Sequence, residues 1–429
     1  MSKWLYQLLL WVALPLVLVR LRWRARREPD YGQRIGERFG RVPDHIRPGS
    51  ICFHTVSAGE TIAAAPLIAA LAEEFANAEG LSASFLVTTM TPTGSAQVQS
   101  RLQEHAQHCY APYDFPFAVR RFFDAVQPQL LVLMETELWP NLIGEAHARG
   151  IPVLLVNARL SERSARGYAR IGALTRAMLQ KVRFIACQYP DHALRFQRLG
   201  ARNDQVGALG SVKFDVVLPT DHAQRVAALM LDLELAGRRV WIAGSTHPGE
   251  DEIVLQAHKA VRDHDPSSCL LIVPRHPVRG AALESLAGEL GFSVACQSRG
   301  AALGADVVVC DTMGQLQTLY GLSKVAFLGG SLVSVGGHNP IEAAVCAQPV
   351  IMGPETFNFP DVVAAFVDAE CLTMVRDADE LADAVIECFD NEPVRVARGE
   401  RARQVVADNR GATERLLDLL GAEIRAAIT

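Results

Sequence analysis

Short apolar runs alternate along the chain with longer amphipathic stretches, and the alternation occurs twice. Residues 51–56, 84–89, 130–134, 153–156 and 184–187 are brief and rich in Val, Ile, Leu or Phe. Unbroken apolar runs of this length suit strands buried on both faces. Helical stretches such as 61–78 and 117–126 lie between them. This βα order predicts a parallel sheet covered on both sides. A second set follows at 240–243, 270–273, 307–310, 325–328 and 349–352. Between the sets, residues 218–237 hold Pro219 and then a polar helical stretch, which predicts a hinge there. The expected domains are therefore 28–217 and 238–429, the second closing on a terminal helix over 395–428 that can pack back onto the first.

The first 27 residues differ from the rest. Trp4 to Val19 is apolar apart from Gln7, and Arg20, Arg22, Arg24, Arg26 and Arg27 follow. A secretory signal carries its charge before the apolar run and a small-residue cleavage site after it. Here the charge follows, and no Ala-x-Ala-like site is present. The pattern predicts an uncleaved membrane anchor with the arginines on the cytoplasmic side. A helix lying in the interface, held to anionic lipid by those arginines, fits the same residues.

Composition narrows the function. A chain of 429 residues is too long for one ordinary core, and 49% hydrophobic with 21% charged residues is globular. A net charge of −5 argues against a nucleic-acid binder. The nine cysteines are scattered with no C-x-x-C pair, so they read as reduced core residues rather than zinc ligands or a disulfide framework. Aromatic residues make up 7%, too few for a carbohydrate surface built on stacked rings.

The chemistry-bearing residues gather at the ends of the expected strands, where open parallel sheets bind ligands. The most informative stretch runs Gly329-Gly330-Ser331 through Gly336-Gly337-His338-Asn339-Pro340-Ile341-Glu342. An apolar strand leads into a glycine-lined loop and then a helix start at Pro340. Glycines let backbone approach a ligand, and a helix N-terminus favours an anionic group. Glu342 is placed to accept from ribose hydroxyls, as in a nucleotide-sugar transferase. Gly244-Ser245-Thr246-His247-Pro248-Gly249-Glu250 offers hydroxyls beside a helix start but lacks the G-K-[ST] of a P-loop. Arg275-His276 supplies an anion clamp and a hydrogen-bonding ring. In Asp311-Thr312-Met313-Gly314-Gln315, Gly314 permits close approach to a base or ribose.

The first half carries its own set. His54-Thr55-Val56-Ser57-Ala58-Gly59-Glu60 ends in a carboxylate at a helix start. Glu60 is either a favourable partner of the helix dipole or a general base. Glu135 and Glu137, two apart beside Trp139-Pro140, suit a polar site better than a core, although a solvated loop accounts for them too. The basic run from Arg159 through Arg163 and Arg166 to Arg170 is either a solvated helix face or a patch for a phosphorylated acceptor. Lys213, in Gly210-Ser211-Val212-Lys213-Phe214-Asp215, is a cation suited to a departing phosphate.

Taken together, the turns 57–60, 135–141, 157–163, 213–215, 244–250, 274–277, 311–316 and 329–342 resemble those of 3-deoxy-D-manno-octulosonic acid (Kdo) transferases, over nearly the whole chain. The resemblance implies a GT-B fold, two doubly wound domains facing a cleft, and an inverting glycosyltransferase of lipopolysaccharide inner-core synthesis at the cell inner membrane. It implies CMP-Kdo as donor and the lipid A precursor lipid IV(A) as acceptor, with no cofactor and no metal. Carried onto this chain, it makes Glu60 the general base, with Glu137 and Lys213 stabilising the transition state. Arg275, His276, Met313, Gly314, Gln315, Asn339, Pro340, Ile341 and Glu342 match the CMP-binding segments, and Ser57, Arg159 and Arg163 are acceptor contacts. One departure stands in the glycine loop, where Ser334 replaces a proline common in the family. Another two-domain nucleotide-sugar enzyme, such as a 2-epimerase, or a silent membrane-associated binding protein shares the broader pattern.

Overall fold

The apolar runs form the strands of two parallel sheets. The computed structural model describes residues 1–77, 83–300 and 304–429. The chain divides into one unit of Met1–Lys213 with Arg410–Thr429 and another of Phe214–Asn409. This differs from the expected boundary at 217 and moves the end of the chain into the first unit.

In the first unit the strands are β1 (Ile51–His54), β2 (Phe85–Thr89), β3 (Gln107–Tyr110), β4 (Leu130–Met134), β5 (Val153–Ala158), β6 (Phe184–Cys187) and β7 (Val206–Ala208). They pair in the order β3-β2-β1-β4-β5-β6-β7, all parallel. Alternate side chains feed two cores. Cys52, Leu131 and Leu133 enter one, and Ile51, Phe53 and Val132 enter the other. The second of these cores also takes Leu416, Leu420 and Ile424 from the last helix, Ala412–Ile428. That i, i+4, i+8 stripe is why the end of the chain belongs to the first unit. The expected helix over 395–428 is in fact two, Glu392–Asp408 and Ala412–Ile428, broken at Gly411 with φ of 89°. The helix expected over 61–78 runs Ala58–Asn77, and Ala78 lies outside the described residues.

The second unit contains β8 (Arg239–Thr246), β9 (Ser268–Pro274), β10 (Val294–Cys296), β11 (Val307–Val309), β12 (Ala326–Leu328), β13 (Val350–Met352) and β14 (Leu372–Met374). Their order is β10-β11-β9-β8-β12-β13-β14, again parallel throughout. In each sheet the chain order reverses near the centre, between β1 and β4 and between β8 and β12, and in the second sheet β11 also lies between β9 and β10. The carboxyl ends at such a reversal are where doubly wound sheets hold ligands. All nine cysteines are free thiols, eight of them buried.

Candidate active site

The end of β1 turns directly into helix Ala58–Asn77, and Glu60 lies in its first turn. Its carboxylate folds back over the turn. Oε2 accepts from the Val56 N–H at 2.7 Å, and Oε1 accepts from the Ser57 hydroxyl at 3.1 Å. Glu60 is 8% exposed. Burial, then the charges of Glu137 and Glu135, push its carboxyl up to about 8, against the opposing pull of the Val56 N–H. Ser57, expected as an acceptor contact, has its hydroxyl turned onto Glu60.

The neighbouring strand β4 supplies the second carboxylate. Glu137 Oε2 accepts from the Trp139 indole N–H at 2.6 Å. Burial raises its carboxyl, with the Trp139 bond opposing and Glu135 adding to the rise. Trp139 also meets the His54 ring edge-on, 5.7 Å between centroids, so the two strand ends are braced together. The next helix, Pro140–Ala148, is capped from outside. Buried Asp114 accepts from the Asn141 and Leu142 N–H groups at 2.9 and 2.8 Å. Tyr168 is beside Glu137, whose charge, after burial, raises its phenol to about 12.

Two of these strand ends carry backbone that side chains rarely adopt. Glu135 has φ of 52° and Asn157 has φ of 50°. Such conformations cluster where a side chain is re-aimed at a site. Asn157 is fully buried, and its Oδ1 receives the Val212 N–H at 3.4 Å, which ties the turn bearing Lys213 to the end of β5. Arg159 is joined to the same region through its carbonyl, which accepts from the Thr136 hydroxyl. Arg163 differs, because helix Glu162–Arg170 buries none of its residues and leaves Arg163 exposed.

In the second unit the central feature is Glu250, which no solvent reaches. Its Oε2 accepts from the N–H groups of His247 at 3.0 Å and Gly330 at 2.6 Å. Its Oε1 accepts from Ser331 at 3.0 Å and Leu332 at 2.9 Å. One carboxylate thus clamps the turn after β8 to the glycine loop after β12. Gly329 lets the two chains touch, since a Cβ there would meet the Ser245 carbonyl oxygen at 2.5 Å.

Above the clamp, His247 and His338 stack with centroids 5.1 Å apart and their Nε2 atoms 2.9 Å apart. Burial, then the charges of His247, Arg275 and His276, lower His338 to about 4. The positions expected to grip the donor, Arg275 and His276, are therefore grouped with this pair and are themselves exposed. Arg279 anchors the group, donating to the Thr246 carbonyl at 2.9 Å and pairing with Asp251. The remaining donor positions are more dispersed. Met313 is 74% exposed, Gly314 has φ of 80°, and the Gln315 amide oxygen accepts from Gln297. Asn339 Oδ1 accepts from the Ile341 N–H at 3.2 Å, and Pro340 stands just ahead of a single-turn helix, Ile341–Val345. Glu342 is half-buried, and burial raises its carboxyl.

Similarity to known proteins extends over nearly the whole chain. Residues 33–216 match the family described as 3-Deoxy-D-manno-octulosonic-acid transferase (kdotransferase), and residues 240–405 match Glycosyl transferases group 1. The 3-deoxy-D-manno-octulosonic acid transferase of Haemophilus influenzae is 38% identical over 425 residues, covering 98% of each chain. The chain belongs to the Kdo transferase family. It is a glycosyltransferase of GT-B fold. The Kdo transferase of Bordetella pertussis is 34% identical, covering 98% of this chain and 99% of its own. In fold, the chain is similar to the UDP-GlcNAc 2-epimerase of Neisseria meningitidis, at a TM-score of 0.58, 13% identity and coverage of 86% and 99%. That likeness is one of architecture. In this chain the geometry adds Tyr168 and Arg279 to the residues expected from sequence, and gives Trp139, His247, Glu250 and His338, which lie in the strand-end turns without an expected role, their contacts. The Glu250 clamp spans 80 or more residues, and no local periodicity marks such a contact.

Proposed function

We propose that this enzyme moves Kdo from CMP-Kdo to lipid IV(A), with inversion, at the cytoplasmic face of the inner membrane during lipopolysaccharide inner-core synthesis. Glu60 is the general base. It takes the proton of the acceptor's primary hydroxyl as that oxygen attacks the anomeric carbon and CMP leaves from the opposite face. The observation that carries the reading is the Glu60 carboxylate itself, oriented by Val56 and Ser57 and raised to about 8. A base poised near the working pH is effective in proton transfer.

The other residues divide the remaining work. Glu137 and Lys213 stabilise the transition state, and Arg159 and Arg163 meet acceptor phosphates. Arg275 and His276 neutralise the CMP phosphate, while Met313 to Gln315 and Asn339 to Glu342 hold the nucleoside. CMP is a good leaving group, so fixed cations and backbone N–H groups suffice without a metal or cofactor. Helix Lys3–Arg27, long and apolar enough to cross a membrane and with little of its surface buried, keeps the enzyme beside its lipid substrate.

The deciding experiment is turnover of purified protein in detergent with lipid IV(A) and CMP-Kdo generated in situ, read by mass spectrometry. Mass gains in whole Kdo units are expected. Unchanged acceptor, with donor intact and protein folded, would reject the reading and call for a screen of other nucleotide sugars.

A further inference from the structure

The helix Lys3–Arg27 touches its unit at a few points, and its two faces are of different kinds. Trp4, Leu8, Val12, Leu16, Val19 and Trp23 are 50–84% exposed. At 100° per residue they share about a third of the helix circumference. Tyr6, Leu10, Ala13, Val17, Leu21 and Arg24 occupy the opposite side, and all are partly or fully buried.

That inner side is held by specific contacts. The Tyr6 hydroxyl donates to Asp114 Oδ2 at 2.8 Å, and the Gln7 amide donates to Asn141 Oδ1 at 3.0 Å. Between the two faces Trp11, itself exposed, stacks on Phe117, 5.6 Å between centroids. Leu21 is 5% exposed, and the Arg24 guanidinium lies 4.4 Å from the centre of the Tyr31 ring. From Tyr6 to Arg24 is about 27 Å of helix, close to the thickness of a bilayer's hydrocarbon.

A helix crossing the bilayer with these contacts intact would carry its docking surface into hydrocarbon. That surface includes buried Asp114 and the helix Pro116–Val126, which bears Arg120, Arg121 and Asp124. Charged groups are strongly disfavoured there. Crossing would otherwise require the helix to abandon Asp114, Asn141 and Phe117.

Resting on the membrane association proposed above, we infer that this helix does not span: it lies along one leaflet with Trp4, Leu8, Val12, Leu16, Val19 and Trp23 inserted, while its inner face stays latched to Asp114 and Asn141. The occupant of the outer face is a bilayer surface rather than a protein. The exposed arginines at positions 20, 22, 26 and 27 give that end of the helix a positive charge complementary to anionic headgroups.

The latch also sets where the membrane lies relative to the chemistry. Asp114, which takes the Tyr6 hydroxyl, is the residue that caps helix Pro140–Ala148, immediately after Glu137 and Trp139. The leaflet surface therefore runs beside the strand end that carries the second carboxylate.

The test uses the full chain with epitopes at both ends, expressed in cells and collected in inside-out membrane vesicles. Protease added outside should remove both epitopes at similar rates. Loss of the C-terminal epitope with the N-terminal one protected until detergent is added would overturn the inference, because the first residues would lie across the bilayer. Flotation with vesicles of phosphatidylethanolamine and phosphatidylglycerol separates this failure from that of the underlying reading. A chain that does not float lacks membrane association altogether, and the inference falls with it. In the floating protein, Arg22→Gln with Arg26→Gln should weaken binding to the anionic vesicles by about tenfold and leave binding to neutral ones little changed. An equal loss on both would overturn the orientation assigned to the helix.

Discussion

Trp139 donates its indole N–H to Glu137 Oε2 across 2.6 Å, and this bond favours the charged form of a carboxylate that in turn opposes ionisation of Glu60. Both carboxyls are raised by burial, Glu137 against the pull of the Trp139 bond and Glu60 against that of the Val56 N–H, with the charge of Glu137 adding to the rise at Glu60.

Replacing the base separates binding from chemistry. Glu60→Gln should lower kcat by about 10²–10⁴-fold, the range of a lost general base. CMP affinity, measured by calorimetry, should stay within about threefold, since the nucleotide contacts proposed above lie in the other unit. Near-normal turnover would remove Glu60 from the mechanism.

The pH profile tests how that base is tuned. In the parent enzyme kcat/KM should climb through about 8, where the Glu60 carboxyl loses its proton. Glu137→Gln removes a like charge, so the climb should move to lower pH. Ser57→Ala removes a hydrogen bond to the carboxylate, so it should move to higher pH. Shifts in the same direction for both variants would contradict the contacts assigned to Glu60.

Stability should follow the same group with the opposite benefit. Folded Glu60 holds its proton to about 8, against about 4.5 for an unperturbed carboxyl. Between these values the folded state binds more protons than the unfolded one, so stability falls as pH rises and levels off above about 8. Glu60→Gln abolishes this loss. Its Tm should exceed the parent's by a few degrees at about pH 9 and converge with it near about pH 4.

The second unit is predicted to depend on a residue that touches no substrate. Glu250→Ala leaves four backbone N–H groups without their acceptor. A loss of about 2–4 kcal/mol in denaturant unfolding is expected, with weakened CMP binding. Gly329→Ala should also weaken CMP binding, because its Cβ would meet the Ser245 carbonyl at 2.5 Å and force the loops apart. Unchanged nucleotide affinity in both variants would show that the clamp does not shape the donor site.

The sequence made the centre of each sheet legible and left its borders obscure. The ten strands expected from apolar runs were all found, with ends shifted by a few residues. The four that were not expected are β3, β7, β10 and β14, and all are edge strands. An edge strand has a neighbour on one side only and needs no continuous apolar run, as Gln107-His108-Cys109-Tyr110 illustrates. The carboxylates Glu60 and Glu137 stood out because acidic residues at the ends of apolar strands are conspicuous. Glu250 also stood at a strand end, but its role lay in backbone N–H groups far along the chain. Asp114 gave no signal either, since its partners at Tyr6 and Asn141 are set by tertiary packing.

The last helix has a consequence for synthesis. The chain leaves the first unit at Lys213 and returns at Arg410, so the second unit is an insertion within the first. Domains generally form in the order in which they emerge from the ribosome. Here the first sheet emerges early but lacks Leu416, Leu420 and Ile424, which come from the final helix and close one of its cores. The inserted unit has all its residues available first. The order of completion is therefore the reverse of the order of the strands, and the amino-terminal half, its core already packed by Leu67, Leu71 and Phe75, stays incomplete until residues 412–428 follow.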